Sequence, residues 1–390
     1  MIAPEPFFQP RGTPFSAFYR AKAFLELGHE VDMVTYPVGE PVDLPGLRIF
    51  RCARPPRVRS VPIGPSLVKI PLDVSLFASA MKRVATGRYD VLDCHEEAGL
   101  MGVVLSFVFR VPTVYDMHSS LPEQLSNFRY TKSRLLRWLV AFSERLMIRH
   151  SNAVIAICPH LVDQVKAIDP RRPCFLIENS PLAESGASSD SKGAAALRES
   201  LGFEEKDVVV LYTGTFEAYQ GLDLLLEAMR RVTQQEPRAK LLLVGGNREQ
   251  VTDTKIEARR VGLDGKVQFA GQRPPSEMPL YLAASDVLVS PRSRGNNTPL
   301  KIYSYLRSGK PIVATRLKTH TQVLDDEVAI LTDVHPQAFA EAILALAANP
   351  ERGRKLAESA RKRADEDYSY ERYLERTKKL CDFLAGAPAA

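Results

Sequence analysis

The stretch Ser290-Pro-Arg-Ser-Arg-Gly-Asn-Asn-Thr-Pro-Leu-Lys301 places Arg292, Arg294 and Lys301 on a loop rich in Gly and Asn. It follows a β-branched run and precedes a helical pattern. Three cations beside a helix N-terminus suit a diphosphate or another anion; a solvated surface cluster is the plain alternative. Asn297 or Thr298 is placed to cap that helix, and Pro299 suits its first position. Gly214-Thr215 after the run ending in Tyr212, with Gly221 opening the next helix, makes a second phosphate cradle. Arg11-Gly12-Thr13-Pro14 makes a third, which reads equally well as a turn capped by Thr13. Gly245-Gly246 reads as a structural turn. Two histidines, His95 and His118, come directly after strand runs, and Glu96, Glu97 and Asp116 beside them could orient an imidazole or hold hydroxyl groups. No H-E-x-x-H, G-x-S-x-G, G-x-G-x-x-G or P-loop lysine motif occurs, which argues against zinc-protease, serine-hydrolase and nicotinamide chemistry.

Loops of this kind need a parallel sheet behind them, because ligands of open α/β sheets bind at the carboxyl ends of strands. The pattern supplies one twice. Strands are expected at 30–36, 47–52, 91–95, 113–117, 153–158 and 174–178, then at 207–212, 240–244, 267–270, 287–290, 311–314 and 329–331. Helical periodicity fills the intervals at 15–27, 72–86, 97–109, 134–150 and 160–167, then at 222–234, 251–261, 276–284, 299–308 and 337–347. The small polar run Glu184 to Gly193 reads as the linker between the halves. Domains are accordingly expected at 1–182 and 183–367, with a closing amphipathic helix in 368–390. Only Met1-Ile2-Ala3 precedes Pro4, so the first strand is expected to be stunted or to begin late, at a cost in stability.

A chain of 390 residues with 45% hydrophobic and 25% charged content is globular, large enough for two domains. Its five cysteines show no C-x2-C spacing and are odd in number, so neither a zinc site nor a disulfide framework is expected. The longest uncharged apolar stretch, Ala98 to Phe109, falls short of the roughly 20 residues that span a bilayer. The opening MIAPEPFFQPRGTP does not read as a secretory leader, and a cytoplasmic protein is expected. The net charge of +6 favours anionic partners. Part of it lies on Lys132, Arg134, Arg137, Arg145 and Arg149, beside Leu135, Leu136, Trp138, Leu139, Phe142 and Leu146. Such a helix either buries its apolar face in the domain core, the reading favoured here, or lies on anionic lipid at the inner face of the plasma membrane. The Arg- and Pro-rich stretch from Arg51 to Lys69 adds to that basic surface. Stacking platforms for nucleic acid are not evident.

Several segments together carry a resemblance: APEPFFQPRGTP, Leu27-Gly-His-Glu-Val31, Val114-Tyr-Asp-Met-His118, Ile177-Glu-Asn-Ser180, Tyr212-Thr-Gly-Thr-Phe216 and Ser308-Gly-Lys-Pro-Ile-Val-Ala-Thr315. Over essentially its whole length the chain resembles a retaining glycosyltransferase of family 4. That resemblance implies the α/β GT-B architecture, two Rossmann-like doubly wound parallel-sheet domains facing across a cleft, with a C-terminal helix returning to the first. It also implies a nucleotide-sugar donor held mainly by the second domain, a glycan or lipid-linked acceptor held by the first, and no required metal or other cofactor. Gly12 and Thr13 then lie near the donor diphosphate, and His118 near the sugar. Gly214 and Thr215 lie in the first donor loop, Gly271 and Arg273 near the base, and Arg294, Thr298 and Leu300 along the second donor loop. His95, Glu96 and Asp116 fall on the acceptor side.

The sequence departs from the family where its polar groups usually stand. The Glu-x7-Glu motif falls on Asn296 and Ser304, and the Arg/Lys pair of the donor loop on Thr215 and Gln220. Arg292, Arg294 and Lys301 are expected to supply the missing charge, Asn296 and Asn297 to bond the sugar, and Ser304 the ribose. Front-face transfer would follow, in which the leaving diphosphate takes the acceptor proton and the protein, Lys301 and Arg292 above all, stabilises the phosphate. A GT-B nucleotide-sugar epimerase or hydrolase and a non-catalytic GT-B scaffold are the alternatives.

Overall fold

The computed structural model describes residues 1–8, 12–56, 58, 61, 66–127, 133–179 and 191–386. They form two compact units, Met1–Asn179 with Tyr370–Ala390, and Ser180–Ser369.

The first unit is built on β1 (Ile2–Ala3), α1 (Gly12–Glu26), β2 (Val31–Thr35), β3 (Leu47–Arg51), α2 (Lys69–Thr86), β4 (Leu92–His95), α3 (Ala98–Phe109), β5 (Thr113–Met117), α4 (Leu121–Asn127), α5 (Arg134–His150), β6 (Ala153–Ala156), α6 (Pro159–Ile168) and β7 (Cys174–Leu176). Its strands form one parallel sheet in the order β3-β2-β1-β4-β5-β6-β7. Strands β4, β5 and β6 are buried along their whole length, as expected of a parallel sheet covered on both faces. The first strand is indeed short, two residues in a central position, and the Met1 amine donates to the Asp32 carbonyl at 2.7 Å.

The second unit contains α7 (Ser191–Ser200), β8 (Val208–Thr213), α8 (Leu222–Gln235), β9 (Ala239–Val244), α9 (Arg248–Arg260), β10 (Val267–Gly271), α10 (Met278–Ala283), β11 (Val287–Ser290), α11 (Lys301–Arg307), β12 (Ile312–Thr315), α12 (Lys318–Thr321), β13 (Ile330–Thr332), α13 (Pro336–Ala348) and α14 (Pro350–Asp367). Its parallel sheet runs β10-β9-β8-β11-β12-β13. The last helix, α15 (Tyr370–Gly386), belongs to the first unit. There Tyr373 and Leu380 pack with Ala23, Val114 and Ile155, and Arg376 pairs with the buried Glu178.

Four local expectations are corrected. Ser191 to Gly193 are not linker but the first turn of α7, where Ala194 is buried. Helix α1 begins at Gly12, so Thr13 lies inside its first turn and does not cap it. Helix α11 begins at Lys301 after a turn in which the Ile302 amide donates to the Pro299 carbonyl; neither Asn297 nor Thr298 caps it. The core face of α5 is Glu144, Met147 and Ile148, whereas Leu135, Trp138, Leu139 and Phe142 stand exposed. Tertiary contact explains the reversal: Glu144 is held inside by the Ser120 hydroxyl and the Leu121 amide, turning the larger apolar stripe outward.

Candidate functional site

Each sheet has one point where connections leave in opposite directions, between β8 and β11 in the second unit and between β1 and β4 in the first. A crevice opens at the carboxyl ends of the strands at such a point.

In the second unit this crevice is walled by glycine. Gly214 follows β8 with φ 137°, and Gly221 opens α8 with φ 74°. A Cβ on Gly221 would lie 2.0 Å from the Pro291 carbonyl oxygen, and one on Gly245 would lie 1.9 Å from the Gly214 carbonyl oxygen. Backbones therefore meet at distances that no side chain permits. The Gly245 amide in turn donates to the Gly271 carbonyl at 2.7 Å, which ties the end of β10 to this cradle.

Lys301 enters it from the start of α11. Its Nζ sits 3.7 Å from the centre of the Tyr212 ring and is buried without a hydrogen-bond partner among the described residues. Burial, reinforced by Arg292, lowers its pKa well below the ordinary lysine value. Arg292 donates from Nη1 to the Asn297 carbonyl and the Thr319 hydroxyl, both at 2.9 Å, and from Nε to Gln220 Oε1 at 3.5 Å. Gln220 also reaches the Thr215 hydroxyl at 3.5 Å. Of the two positions where the sequence lacks cations, Arg292 contacts 220 directly and 215 only through Gln220. The carbonyls of Asn296 and Asn297 accept from Gln322 and Thr319, at 2.6 Å each. Thr298 is buried, its hydroxyl without a partner among the described residues. Leu300 precedes α11 and Ser304 lies half-buried on it. Arg294 is exposed on the same loop, and Arg273, past Gly271, is exposed beside Glu277 at 4.0 Å. His320 escapes sequence reasoning altogether. It bonds Ser290 at 2.8 Å and the Thr315 carbonyl at 2.7 Å, and burial lowers its pKa to about 3.

In the first unit β4 ends on His95 and the β5 strand leads to His118. The His95 and His118 rings meet at 2.9 Å between Nδ1 and Nε2, and His95 Nε2 lies 3.1 Å from Asp93 Oδ2. Asp116 approaches both rings, at 3.9 Å from His95 and 3.4 Å from His118, and accepts from Arg20 Nε at 3.1 Å. Thr377 of α15 accepts from Arg20 Nη1 at 3.2 Å. His95 and Asp116, expected on the acceptor side, are wholly buried, and His118 keeps 7% exposure. Glu96, in the left-handed region at φ 49°, accepts from the Ser119 hydroxyl at 3.1 Å, and burial followed by Glu97 raises its pKa well above the carboxylate range. Glu97 pairs with Lys69 at 3.3 Å, and Tyr36 donates to Asp73, whose pKa burial raises to about 7. Gly12 and Thr13 open α1; Arg11 and Lys132 lie outside the described residues, as do Arg57 and Arg59.

His95, Asp116 and His118 also bring three donor atoms within 4.8 Å, as a metal site would. The two ring nitrogens are already bonded to each other, and the Arg20 guanidinium already neutralises Asp116, so the cluster is a hydrogen-bonded network and a poor cage for a dication.

Comparison with known proteins gives the family of both units. Residues 194–363 match the model of the family glycosyl transferases group 1, and residues 19–179 match that of the glycosyl transferase 4-like domain. The chain belongs to the family 4 type of GT-B glycosyltransferases. Among relatives of this glycosyltransferase, the phosphatidyl-myo-inositol mannosyltransferase of Mycobacterium tuberculosis is 25% identical over 352 residues, covering 88% of this chain and 85% of the relative. The D-inositol 3-phosphate glycosyltransferase of Corynebacterium kroppenstedtii is 25% identical over 358 residues, covering 86% and 77%. The fold is shared with Anabaena HepE in complex with UDP, at TM-score 0.76 and 19% identity over 99% of both chains. It is also shared with sucrose-phosphate synthase from Thermosynechococcus elongatus, at TM-score 0.80 and 20% identity over 97% and 94%. Of the glycosyltransferase's network residues, sequence reasoning missed Arg20, Asp93 and Thr377. Only Asp93 left a signal, two residues before His95 and hence on the same face of β4.

Proposed function

We propose that this glycosyltransferase moves a sugar from a nucleotide-sugar donor, held by the second unit, to a hydroxyl of a glycan or lipid-linked acceptor held by the first. The transfer keeps the anomeric configuration and serves assembly of a surface polysaccharide or glycoconjugate. One observation carries the reading: Lys301 Nζ, buried beside Arg292 without a hydrogen-bond partner among the described residues, against a cradle that only glycine fits. A cation held that way is incomplete without an anion. The UDP bound by HepE and the inositol acceptors in the relatives' names support a nucleoside diphosphate on one side and a polyol on the other.

As the acceptor oxygen bonds to the anomeric carbon, the carbon–oxygen bond to the diphosphate breaks and its electron pair stays on the diphosphate, where Lys301, Arg292 and loop amides stabilise the negative charge. The departing phosphate accepts the acceptor proton on the same face, which retains configuration without a carboxylate nucleophile at Asn296. Two fixed cations at this point do the work otherwise given to a metal, so none is required. Gly271 and Arg273 are assigned to the base, Thr215, Arg294, Asn296, Asn297, Thr298 and Leu300 to the sugar and phosphates, Ser304 to the ribose, and Gly12, Thr13 and His118 to the side facing the sugar.

The exposed stripe of α5 supports a peripheral membrane location. Leu135, Trp138, Leu139 and Phe142 are exposed on α5, and α3, which packs beside it, exposes Leu100, Val104, Phe107 and Val108; Arg110, Arg134, Arg137 and Arg149 are exposed on the same two helices or next to them. Exposed apolar side chains on helices that also expose arginine fit an anionic bilayer. No helix among the described residues is long and apolar enough to cross a membrane.

A calorimetric panel of nucleoside diphosphates and sugar nucleotides tests the central reading, with the anomer of any product assigned by proton NMR. A specific nucleotide that binds the wild type and is lost in Lys301→Ala agrees with it. Donor consumption without an acceptor would point to the epimerase or hydrolase alternative, and a flat panel to the scaffold.

A further inference from the structure

We propose that His95 is a positioning residue for His118: bonded to Asp93 on one side and His118 on the other, it acts as a buried imidazolium that fixes His118 in the tautomer carrying its proton on Nδ1. This rests on the reading of His118 as the imidazole that meets the sugar.

The argument is one of counting protons. An ionised Asp93 only accepts, so His95 must carry a proton on Nε2 at 3.1 Å from it. If His95 were neutral, its Nδ1 would be a lone pair, and the 2.9 Å contact would require His118 to donate from Nε2. His118 Nδ1 would then be an acceptor. If His95 is an imidazolium, it donates from Nδ1, His118 accepts on Nε2, and the proton of a neutral His118 sits on Nδ1, the nitrogen on the far side from His95. The charge on a wholly buried residue therefore decides whether the residue in front of it offers a substrate oxygen a donor or an acceptor.

The surroundings favour the charged form. Facing His95 are Asp93 on its own strand, Asp116 and His118 on β5 and its end, Arg20 on α1, and Glu5 in the segment after β1. Burial alone lowers the pKa of His95, but Asp93, Asp116 and Glu5 together outweigh burial and hold it above the ordinary histidine value. His118 moves the opposite way, to about 4, through burial and the charges of His95 and Arg20. A single N–H···N bond can join two neutral rings or one cation and one neutral ring; the carboxylates of Asp93 and Asp116, at 3.1 and 3.9 Å from His95, select the second. Arg20, clamped by Thr377 and lying 5.1 Å from the Tyr373 ring, fixes Asp116 so that it neutralises the pair without bonding it away.

The test reads nitrogen-15 chemical shifts of the histidine rings in the full-length protein across about pH 6 to 8, with signals assigned through His95→Asn and His118→Ala. Expected is a doubly protonated His95 at the acid end, with His118 protonated on Nδ1 only. As pH rises through the His95 transition, turnover should fall with it. Asp93→Asn removes a carboxylate, so it should move both the His95 transition and the falling limb of kcat to lower pH. His95→Leu should cost about 10- to 100-fold in kcat with little change in KM. His95→Asn, whose amide donates to His118 at every pH, should stay within a few-fold of wild type and lose the limb. A neutral His95 with His118 protonated on Nε2 throughout overturns the proposal, as does an unmoved limb in Asp93→Asn or an Asn variant as poor as the Leu variant. If His118→Ala kept full turnover, the role of His118 at the sugar would fail, while the shifts would still decide the tautomer.

Discussion

Replacing Lys301 by methionine should push stability and binding in opposite directions, and the structure sets both sizes. The ammonium is buried, makes no hydrogen bond or ion pair among the described residues, and faces a second cation in Arg292. A buried polar group left unmade costs about 1–3 kcal/mol. Methionine fills similar volume against the Tyr212 ring, 3.7 Å from the present Nζ, without that cost. In a domain of this length each kcal/mol moves Tm by about 2–4 °C, so the ligand-free variant should melt about 2–12 °C higher. A hydrogen bond from an ammonium to phosphate contributes about 1.5–3 kcal/mol, so affinity for the nucleoside diphosphate should fall roughly 10- to 150-fold. Scanning and titration calorimetry measure the two effects on one sample. Binding should also take up protons in the wild type, since a lysine held below its ordinary pKa regains its proton beside a diphosphate. The uptake should grow as pH rises and vanish in the variant. A methionine variant that melts lower and binds the nucleotide unchanged would make Lys301 a structural residue and refute the reasoning.

The glycine cradle separates strain from clash. Gly221→Ala must place a Cβ 2.0 Å from the Pro291 carbonyl and displace the segment carrying Arg292, so Tm and nucleotide affinity should both drop. Gly271→Ala, also at positive φ but with open space around it, should show only left-handed strain of about 1–2 kcal/mol in its Tm. Stability should decline as pH falls from about 6.5 toward 4, because His118 and His320 have depressed pKa values, about 4 and about 3, and the unfolded chain binds protons that the native chain refuses. His320→Gln should flatten that decline for the second unit, as read by urea unfolding at several pH values. For the surface of α5, the double variant Trp138→Ala and Phe142→Ala should lose co-sedimentation with phosphatidylglycerol vesicles, and salt should weaken the wild-type association. Equal association of the two proteins would dismiss that surface.

How much of this was legible beforehand differs by element. Strands such as Thr113–Met117 and Val287–Ser290 are read correctly to the residue because a sheet covered on both faces demands continuous apolar runs bounded by turns. The glycine and cation loops of the second unit were equally visible, since Gly214, Gly221 and the cations of 292–301 are local chemistry at a strand end. Helices α7 and α14 were missed: their faces are polar and rich in alanine, and only packing shows Ala194, Ala357, Ala360 and Ala364 to be buried. The apolar stripe of α5 was assigned to the wrong side because periodicity reports that a face exists without saying what covers it. The histidine network lay beyond sequence reasoning for a different reason. Arg20, Asp93, His95, Asp116, His118 and Thr377 come from helices and strands up to 357 positions apart, and their meaning lies in ring-nitrogen contacts at 2.9 and 3.1 Å. Composition and local pattern determined the two α/β halves and the residue types available for chemistry. Which imidazole keeps some exposure, which is wholly buried, and which ammonium lacks a hydrogen-bond partner among the described residues were decided only when the sheets brought distant strand ends together, because burial and pairing set charge.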